Sequence, residues 1–274
     1  VYTMLPAAER LGPVGTTKQL YGNYLKIAWP ATLQGLMLQF MTAIDLAMVG
    51  ALGASALASV GIMGQPEMVM LIFCRALSIA VTAIIARRHG EDDVDGMNAV
   101  LKQSILLNFL IYVPLLVTCF FNLEHILRFT GAEDGYIETA VWYGRFVVIS
   151  LIFQSFSQIV GAALIGYGNT KVIFKSNVVG NILNTIMNFF LIYGIGFFPE
   201  LGVMGAGVST MISSALIALL LLRTISQHTT TGLTLRHPSK WTFERPVLHT
   251  MFHVGGSSLG EQFFERFGMY TYTM

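Results

Sequence analysis

Long apolar runs separated by short polar links make up most of the chain. Crossing a bilayer takes a helix of about 20 predominantly apolar residues. Six runs reach that length and a seventh is incomplete: 24–49, 54–86, 97–121, 136–162, 169–196, 203–226 and 247–274. The links, such as Gly166–Thr170, are turn-like and favour antiparallel neighbouring helices. We therefore predict an all-α membrane protein, a helical bundle of six complete transmembrane helices plus a truncated seventh.

The composition supports a membrane protein and argues against several other classes. Of the 274 residues, 54% are hydrophobic and 11% are charged, whereas a soluble domain has about 25% charged residues. The formal net charge is +1 without a basic run, so nothing suggests a nucleic-acid partner. Cys74 and Cys119 lack the spacing of a metal site or a disulfide framework.

The sequence contains no nucleotide-binding loop, no zinc-protease motif and no serine-hydrolase elbow. We therefore predict that the protein is not an enzyme and needs no cofactor. If it transports a solute, an ion gradient is the remaining common source of energy, and carboxylates inside the membrane are its usual binding groups.

The distribution of lysine and arginine predicts the orientation of the spans. Twelve of these residues flank one set of span ends, in the N-terminal segment, the 87–102 loop, the 167–175 link and the 223–245 loop. The opposite set has Arg128 alone, and Arg145 lies inside the fourth span. Because cytoplasmic loops carry the excess of positive charge, we predict a cytoplasmic N-terminus.

The longest polar stretch, Ser226–Glu244, has the composition of a linker between two halves. A polar residue falls four positions after Pro30 and four after Ser257, as expected for a parallel repeat. The other long link, 122–135, is amphipathic and should lie along the outer membrane surface. We divide the chain into a cytoplasmic N-terminal segment (1–23), an N-terminal six-helix lobe (24–226), a cytoplasmic linker (227–246) and the truncated first helix of a second lobe (247–274).

Carboxylates inside the spans are candidate functional groups. Gln34 and Asp45 are eleven residues apart, close to three helical turns, so both lie on one face of the first span. A charge at the centre of a membrane helix costs about 2.5–3.5 kcal/mol on insertion scales, so this face should meet a water-filled cavity or a partner helix. Glu261 and Glu265 lie one turn apart, where they could line a cavity or pair with Arg266. These alternatives stay open.

Polar side chains also form stripes along three spans. In the fifth span Asn177, Asn181, Asn184 and Asn188 recur at spacings of four, three and four, which places them on one helix face. Such a stripe could bond to neighbouring helices or line a cavity. A similar face of the fourth span carries Ser150, Gln154, Ser157 and Gln158. In the sixth span the small residues Ser209, Thr210, Ser213 and Ser214 favour close helix packing.

Several of these segments together resemble a known transporter family. The segments are WPATLQGLMLQFMTAIDLAMVGALGASALASVGI, AIIARRHGEDD, GYGNTK, GNILNTIMNFFLIYG and LGVMGAGVST. From about residue 20 to 274 the chain resembles the N-terminal half of a multidrug and toxic compound extrusion (MATE) transporter, followed by the first helix of the second half. The resemblance implies that the sequence is a fragment of a twelve-helix protein with two six-helix lobes around a central cavity.

The resemblance also implies a function. Such a protein is a secondary active antiporter that exports small organic, cationic or amphipathic compounds in exchange for Na⁺ or H⁺ by alternating access. We expect a monomer at full length, in the plasma membrane of a bacterium, with the lipid bilayer as its surroundings.

The family's cation-binding residues map onto four positions of this sequence. Asp45 matches the first-helix aspartate that binds the coupling cation, Asn184 the fifth-helix asparagine and Thr210 the sixth-helix threonine. Asn188 falls where some branches carry a second aspartate, so one charge is missing, and Met41 falls where some members have tyrosine. We expect these four polar residues to form the cation-coupling site, with Na⁺ as its candidate metal ion, while the choice between Na⁺ and H⁺ stays open.

Glu265 falls where another branch has its seventh-helix glutamate, and Glu261 resembles a glutamate common one turn earlier. The residues expected to line the cavity or contact substrate are Gln34, Gln154, Gln158, Asn181, Glu261 and Glu265.

Two other functions remain possible for this sequence. A flippase for lipid-linked oligosaccharides from a related family would need a strongly cationic cavity, for which only Arg75, Arg145 and Arg266 are candidates. A seven-helix receptor or sensor would bind a ligand without transporting it. The roles of Glu67 and Arg75, which lie eight residues apart in the second span, are open.

Overall fold

The computed structural model describes residues 17–273 except 197, 228–231, 237, 239, 240 and 242. Within that part the chain forms helices and no strand. The helices are α1 Thr17–Gly50, α2 Ala54–Gly90, α3 Val94–Phe121, α4 Leu123–Phe129, α5 Ile137–Tyr167, α6 Thr170–Tyr193, α7 Val203–Ser226 and α8 Arg245–Thr273. The all-α fold predicted from the apolar runs is confirmed.

A boundary between two compact units falls inside α1, between Ala43 and Ile44. In the first unit the described residues form the beginning of α1, and its apolar side chains Leu36, Leu38 and Phe40 are exposed. The second unit contains the end of α1 together with α2 to α8, and the packing described below lies within it.

Four helices of the described chain, α2, α3, α5 and α7, are long and apolar enough to cross a membrane. In α1 the corresponding apolar segment, Gly35–Gly50, is shorter. Helix α6 has 24 residues but carries the four asparagines of the amide stripe. Membrane-spanning helices are therefore present, whereas the count of six complete spans plus a truncated seventh stays a prediction.

Helix α5 packs against α2, α3 and α7. A Cβ at Gly166 would lie 2.7 Å from the Thr82 carbonyl oxygen, so the backbones of α5 and α2 approach each other closely there. The Thr82 hydroxyl donates to the Ala162 carbonyl at 3.1 Å, and Asn108 of α3 donates to the Ser155 hydroxyl at 3.1 Å. Small residues and interhelical hydrogen bonds are typical of membrane helix packing, because lipid is as apolar as the side chains it replaces.

The link between α3 and α5 contains the short amphipathic helix α4, which packs on α5. Leu123 and Leu127 of α4 are buried. The exposed Arg128 forms ion pairs with Glu124 at 3.1 Å and Asp134 at 2.7 Å. Hydrogen bonds from Arg128 to Asp134 and Glu124 raise the pKa of the Arg128 guanidinium. The predicted amphipathic character is confirmed, and a location along the membrane surface stays a prediction.

The linker between α7 and α8 is attached to α3 by two buried amides. Asn98 donates from Nδ2 to the Gly232 carbonyl at 2.8 Å, and its Oδ1 accepts the Thr234 N–H at 2.7 Å. Gln103 accepts the Glu244 N–H at its Oε1, at 3.0 Å. Both amide side chains are 0% exposed, so water does not compete for these bonds.

Further contacts reinforce this attachment. Leu233 is buried in the hydrophobic core, and the Leu235 N–H donates to the Ile225 carbonyl at the end of α7, at 2.9 Å. The Lys102 ammonium lies 5.4 Å from the centroid of the Trp241 ring, within cation–π range. The polar composition of the linker predicted its existence but not its attachment to α3.

We predict that Asn98→Ala destabilises the fold by about 1–3 kcal/mol, because it leaves the Gly232 carbonyl and the Thr234 N–H without their buried partner. Unfolding in mixed micelles measures the stability, and amide hydrogen exchange measures the linker locally. Asn122→Ala is the control, because Asn122 is exposed and bonds within its own helix region, to the Thr118 carbonyl. Unchanged exchange of the Thr234 amide in Asn98→Ala would contradict the attachment.

Candidate functional site

Asp45 lies near the end of α1 and contacts α6, which is packed closely against α7. That close packing depends on Gly205, because a Cβ there would lie 2.6 Å from the Leu191 carbonyl oxygen. The same carbonyl accepts the Leu201 N–H at 2.9 Å. The link before α7 is therefore tied to the last turn of α6, and the first turn of α7 lies directly against it.

The Asp45 carboxylate accepts hydrogen bonds from two amides of α6. Asn188 donates from Nδ2 to Asp45 Oδ1 at 2.8 Å. In the orientation that satisfies both of its neighbours, the Asn184 amide donates to Asp45 Oδ2 at 3.1 Å, and its oxygen accepts the Thr210 backbone N–H at 3.2 Å. Each carboxylate oxygen thus has a neutral donor, and Asn184 joins α1, α6 and α7.

A second layer of hydrogen bonds positions Asn188. Its Oδ1 accepts from the Ser209 hydroxyl of α7, and both residues are buried, 2% and 0% exposed respectively. The Ser209 and Thr210 hydroxyls each also lie 2.9 Å from the Ala206 carbonyl. Because its oxygen is occupied by Ser209, the Asn188 amide points its NH₂ group at Asp45.

An apolar cluster surrounds this polar group. It contains the buried residues Val49, Ala56, Ile192, Val203 and Ala206, with Tyr143 and Tyr193 packed against them. The Tyr193 hydroxyl donates to the Met48 carbonyl at 3.0 Å, which fixes the last turns of α1 against α6. The carboxylate is therefore half-buried beside apolar side chains.

Neutral groups alone balance the Asp45 charge in the described chain. None of the ion pairs among the described residues includes Asp45. Hydrogen bonds to a charged group contribute about 1.5–3 kcal/mol each, which can hold a half-buried carboxylate without a cationic residue. A carboxylate without a cationic residue beside it can accept a proton or a small hard cation, because such cations prefer oxygen ligands.

The predicted cation-coupling residues thus meet, with one difference. Asp45, Asn184 and Asn188 are joined by their side chains, whereas Thr210 contributes its backbone N–H and its hydroxyl bonds within α7. Ser209 orients Asn188, whereas the sequence pattern predicts only close helix packing for Ser209. Its position beside Thr210 is the one feature of the sequence that indicates a place in this site. Tyr143 and Tyr193 had no signal in the sequence pattern.

The amide stripe of α6 serves two different places. Asn184 and Asn188 face Asp45, whereas Asn177 lines a cavity of about 590 Å³ formed by α2, α5, α6 and α7. Gln158 and Ser157 of α5 line the same cavity. Both alternatives considered for the stripe, bonding between helices and cavity lining, are therefore found in different parts of it.

The other residues predicted to line the cavity are not among its described lining residues. Gln154 donates to the Ser150 hydroxyl within α5 at 3.1 Å, and Asn181 is half-buried between the two ends of the stripe. Glu261 is exposed on α8. The side chains of Gln34 and Glu265 lie outside the described part of the structure.

Comparison with known proteins assigns the family. The MatE family model matches residues 30–190, more than half of the chain, and this segment includes Asp45, Asn184 and Asn188. The chain belongs to the MatE family. The resemblance to MATE transporters seen in the sequence motifs is thereby confirmed.

Individual members of the family are similar to this chain in sequence and in fold. It is 27% identical over 252 residues to multidrug resistance protein NorM of Vibrio cholerae, covering 90% of this chain and 54% of NorM. It superposes with a TM-score of 0.71 and 26% identity on a multidrug resistance MATE transporter of the MOP superfamily in an inward-facing conformation, covering 80% of this chain and 49% of that one. For an outward-facing structure the TM-score is 0.80 at 23% identity, over 90% and 53% of the two chains. The chain spans about half the length of the curated relatives it matches.

We predict that Gly205→Ala destabilises the α6–α7 pair by about 1–3 kcal/mol, because the new methyl group would overlap the Leu191 carbonyl. Unfolding in mixed micelles measures the loss. Gly61→Ala is the matched control, since Gly61 is an exposed helical glycine of α2 with nothing within 4 Å of a Cβ. There we expect no loss, or a gain of up to about 1 kcal/mol from helix propensity. Equal effects of the two changes would contradict the close approach.

We also predict that Asn188→Asp makes the stability of the protein dependent on sodium. The substitution removes the donor to Asp45 and places a second carboxylate against it, so without a bound cation the protein should lose about 1.5–3 kcal/mol. Sodium should restore stability by mass action. Thermal unfolding in sodium chloride and in choline chloride of equal concentration measures this dependence. Asn181→Asp, on the same helix face, should show a much smaller sodium effect, and similar effects in both variants would contradict the prediction.

Proposed function

We propose that this chain is the N-terminal six-helix lobe and first second-lobe helix of a secondary active antiporter, which exports organic cations and drugs in exchange for Na⁺ or H⁺. The observation that carries the proposal is the Asp45 carboxylate, held at the junction of α1, α6 and α7 by uncharged amides. The multidrug resistance protein of Vibrio cholerae, to which the chain is similar, supports the drug-efflux class.

The proposed topology counts seven helices through the membrane. Helices α2, α3, α5 and α7 have the length and apolar composition of spans. In the proposal α1 and α6 complete the lobe and α8 starts the second one, with α4 outside the membrane. The excess of lysine and arginine at one set of helix ends supports a cytoplasmic N-terminus in a bacterial plasma membrane.

Coupling would follow from competition for the Asp45 carboxylate. When Asp45 is ionised, its oxygens accept from Asn184 and Asn188 and so hold α1 against α6. A proton would replace one of these bonds, and Na⁺ would require an amide to turn its oxygen toward the ion. Either ion therefore binds better to an arrangement in which α1, α6 and α7 have shifted, and this difference in affinity is what drives a conformational change.

The cavity between α2, α5, α6 and α7 is our candidate for part of the substrate path. Its lining combines apolar side chains with neutral polar groups, among them Gln158 and Asn177. Such a lining suits small organic cations with an apolar body, because the amide and hydroxyl oxygens orient the ligand without fixing one shape. A strongly cationic lining, which a flippase for an anionic lipid-linked sugar would need, is not found among the described residues of this cavity.

The proposal is tested by following efflux of a fluorescent cationic dye from cells that express the complete gene, with sodium and pH gradients imposed separately. We predict that Asp45→Asn lowers gradient-driven efflux at least tenfold while the protein still reaches the membrane, because the neutral side chain cannot bind the coupling ion. Asp134→Asn is the control, since Asp134 is an exposed carboxylate that pairs with Arg128.

Efflux in wild type and Asp134→Asn, but not in Asp45→Asn, would support the exporter, and the effective gradient would identify the ion. Normal efflux by Asp45→Asn would exclude the proposed coupling. If no dye leaves under either gradient while the protein is in the membrane, the drug exporter is wrong and a lipid flippase becomes the better hypothesis.

A further inference from the structure

Arg145 of α5 lies close to two aromatic rings. Its guanidinium carbon lies 4.9 Å from the centroid of the Trp142 ring and 5.7 Å from that of the Phe120 ring at the end of α3. Its Nε is buried and has no hydrogen-bond partner. The cation therefore has two rings within cation–π range, while its buried Nε–H has no acceptor in the described chain.

The described chain supplies no counter-charge for Arg145. The ion pairs found there involve Arg87, Arg88 and Arg128 only. An arginine in a membrane helix is costly unless it is paired or reaches the headgroup region. An anion from outside the described chain would relieve this cost, because a guanidinium binds carboxylate and phosphate oxygens through two parallel N–H bonds.

The position of Arg145 along α5 places its side chain within reach of lipid headgroups. The 31 residues of α5 span about 46 Å, compared with about 30 Å for the hydrocarbon layer, so about 8 Å remains at each end of a centred helix. Arg145 is eight residues from Ile137 at the helix start, about 12 Å along the axis and thus about 4 Å inside the hydrocarbon. Helical side chains point toward the N-terminus, and arginine can extend over this distance to the interface.

The surroundings of Arg145 are those of a lipid-facing interface. Trp142 is 43% exposed and Phe121, next to Phe120, is 77% exposed. Trp and Tyr are enriched at the level of the headgroups, as Trp142 would be here. A soluble anion would make no apolar contact with these rings. A phospholipid can contact both the guanidinium, with its phosphate, and the rings, with its acyl chains.

We propose that Arg145, with Trp142 and Phe120, binds the phosphodiester headgroup of an anionic phospholipid at the end of the helix bundle that carries α4. The guanidinium donates to two phosphate oxygens, and the exposed rings pack against the upper part of the acyl chains. This site is separate from Asp45 and is independent of ion coupling.

The chain contains a matched control for this site. Arg128 lies in α4, between the ends of α3 and α5, but is already paired with Glu124 and Asp134. It therefore has no need of an external anion, and its replacement should leave lipid binding at Arg145 unchanged.

The test measures the rise in thermal unfolding midpoint of the purified chain, in uncharged detergent, when phosphatidylglycerol is added. Phosphatidylcholine and inorganic phosphate are added in parallel. We expect phosphatidylglycerol to give the largest rise, Arg145→Gln to lose at least half of it, and Arg128→Gln to keep it. Arg145→Lys should keep an intermediate part, because it retains the charge but not the planar paired donors. The comparison uses the rise in midpoint that the lipid causes in each variant, and not the midpoint itself. A lower midpoint of Arg145→Gln without lipid therefore does not count as support.

Three outcomes would overturn the proposal. The first is an undiminished increment in Arg145→Gln, or in Arg145→Lys if the glutamine variant does not fold. The second is an equal loss in Arg128→Gln, which would point to nonspecific attraction. The third is an equal increment with inorganic phosphate or phosphatidylcholine, since the site would then not recognise an anionic lipid.

Discussion

A carboxylate that has no cationic partner among the described residues determines how one side of the helix bundle is arranged. Asp45 is half-buried, and its two oxygens accept from the amides of Asn188 and Asn184. These amides are in turn oriented by Ser209 and by the Thr210 backbone, both on α7. Removing any one of these groups would leave a polar atom without a partner in a region of low dielectric, where that is costly. The end of α1 therefore depends on how α6 and α7 are packed together.

That packing rests on backbone contact and not on large side chains. Gly205 lets α7 approach the last turn of α6, and the α5–α2 contact uses Gly166 in the same way. Close backbones bring short polar side chains within hydrogen-bond reach of the neighbouring helix, and in a membrane such bonds and van der Waals contacts replace the hydrophobic effect between helices. The polar cluster around Asp45 and the cavity lined by Gln158 can therefore coexist in one small bundle.

The sequence predicted the helices and the polar faces better than the contacts between them. Apolar run length identified helices that can cross a membrane, although α2 continues to Gly90, past the apolar run that ends at 86, and α5 continues to Tyr167, past the predicted end at 162. The spacing of the asparagines placed them on one face but could not show that Asn184 and Asn177 meet different neighbours, because this depends on where α1 and α5 lie. The MATE resemblance indicated the set around Asp45, whereas Asn98 gave no local signal of its attachment to the linker, since its two linker partners lie more than 130 residues away.

The attachment of the linker to α3 limits how α8 can move. If the eighteen residues between α7 and α8 were unattached, they would be a flexible connection able to span tens of ångströms at about 3.3–3.6 Å per residue. Here the Glu244 N–H is bonded to Gln103, and α8 begins at the next residue, Arg245. The first residue of α8 thus directly follows a residue that is bonded to α3, and α8 also packs on α2. In the proposed two-lobe transporter, any rocking of the second lobe would turn about this anchored point, so the N-terminal part of α3 would be the pivot of that movement.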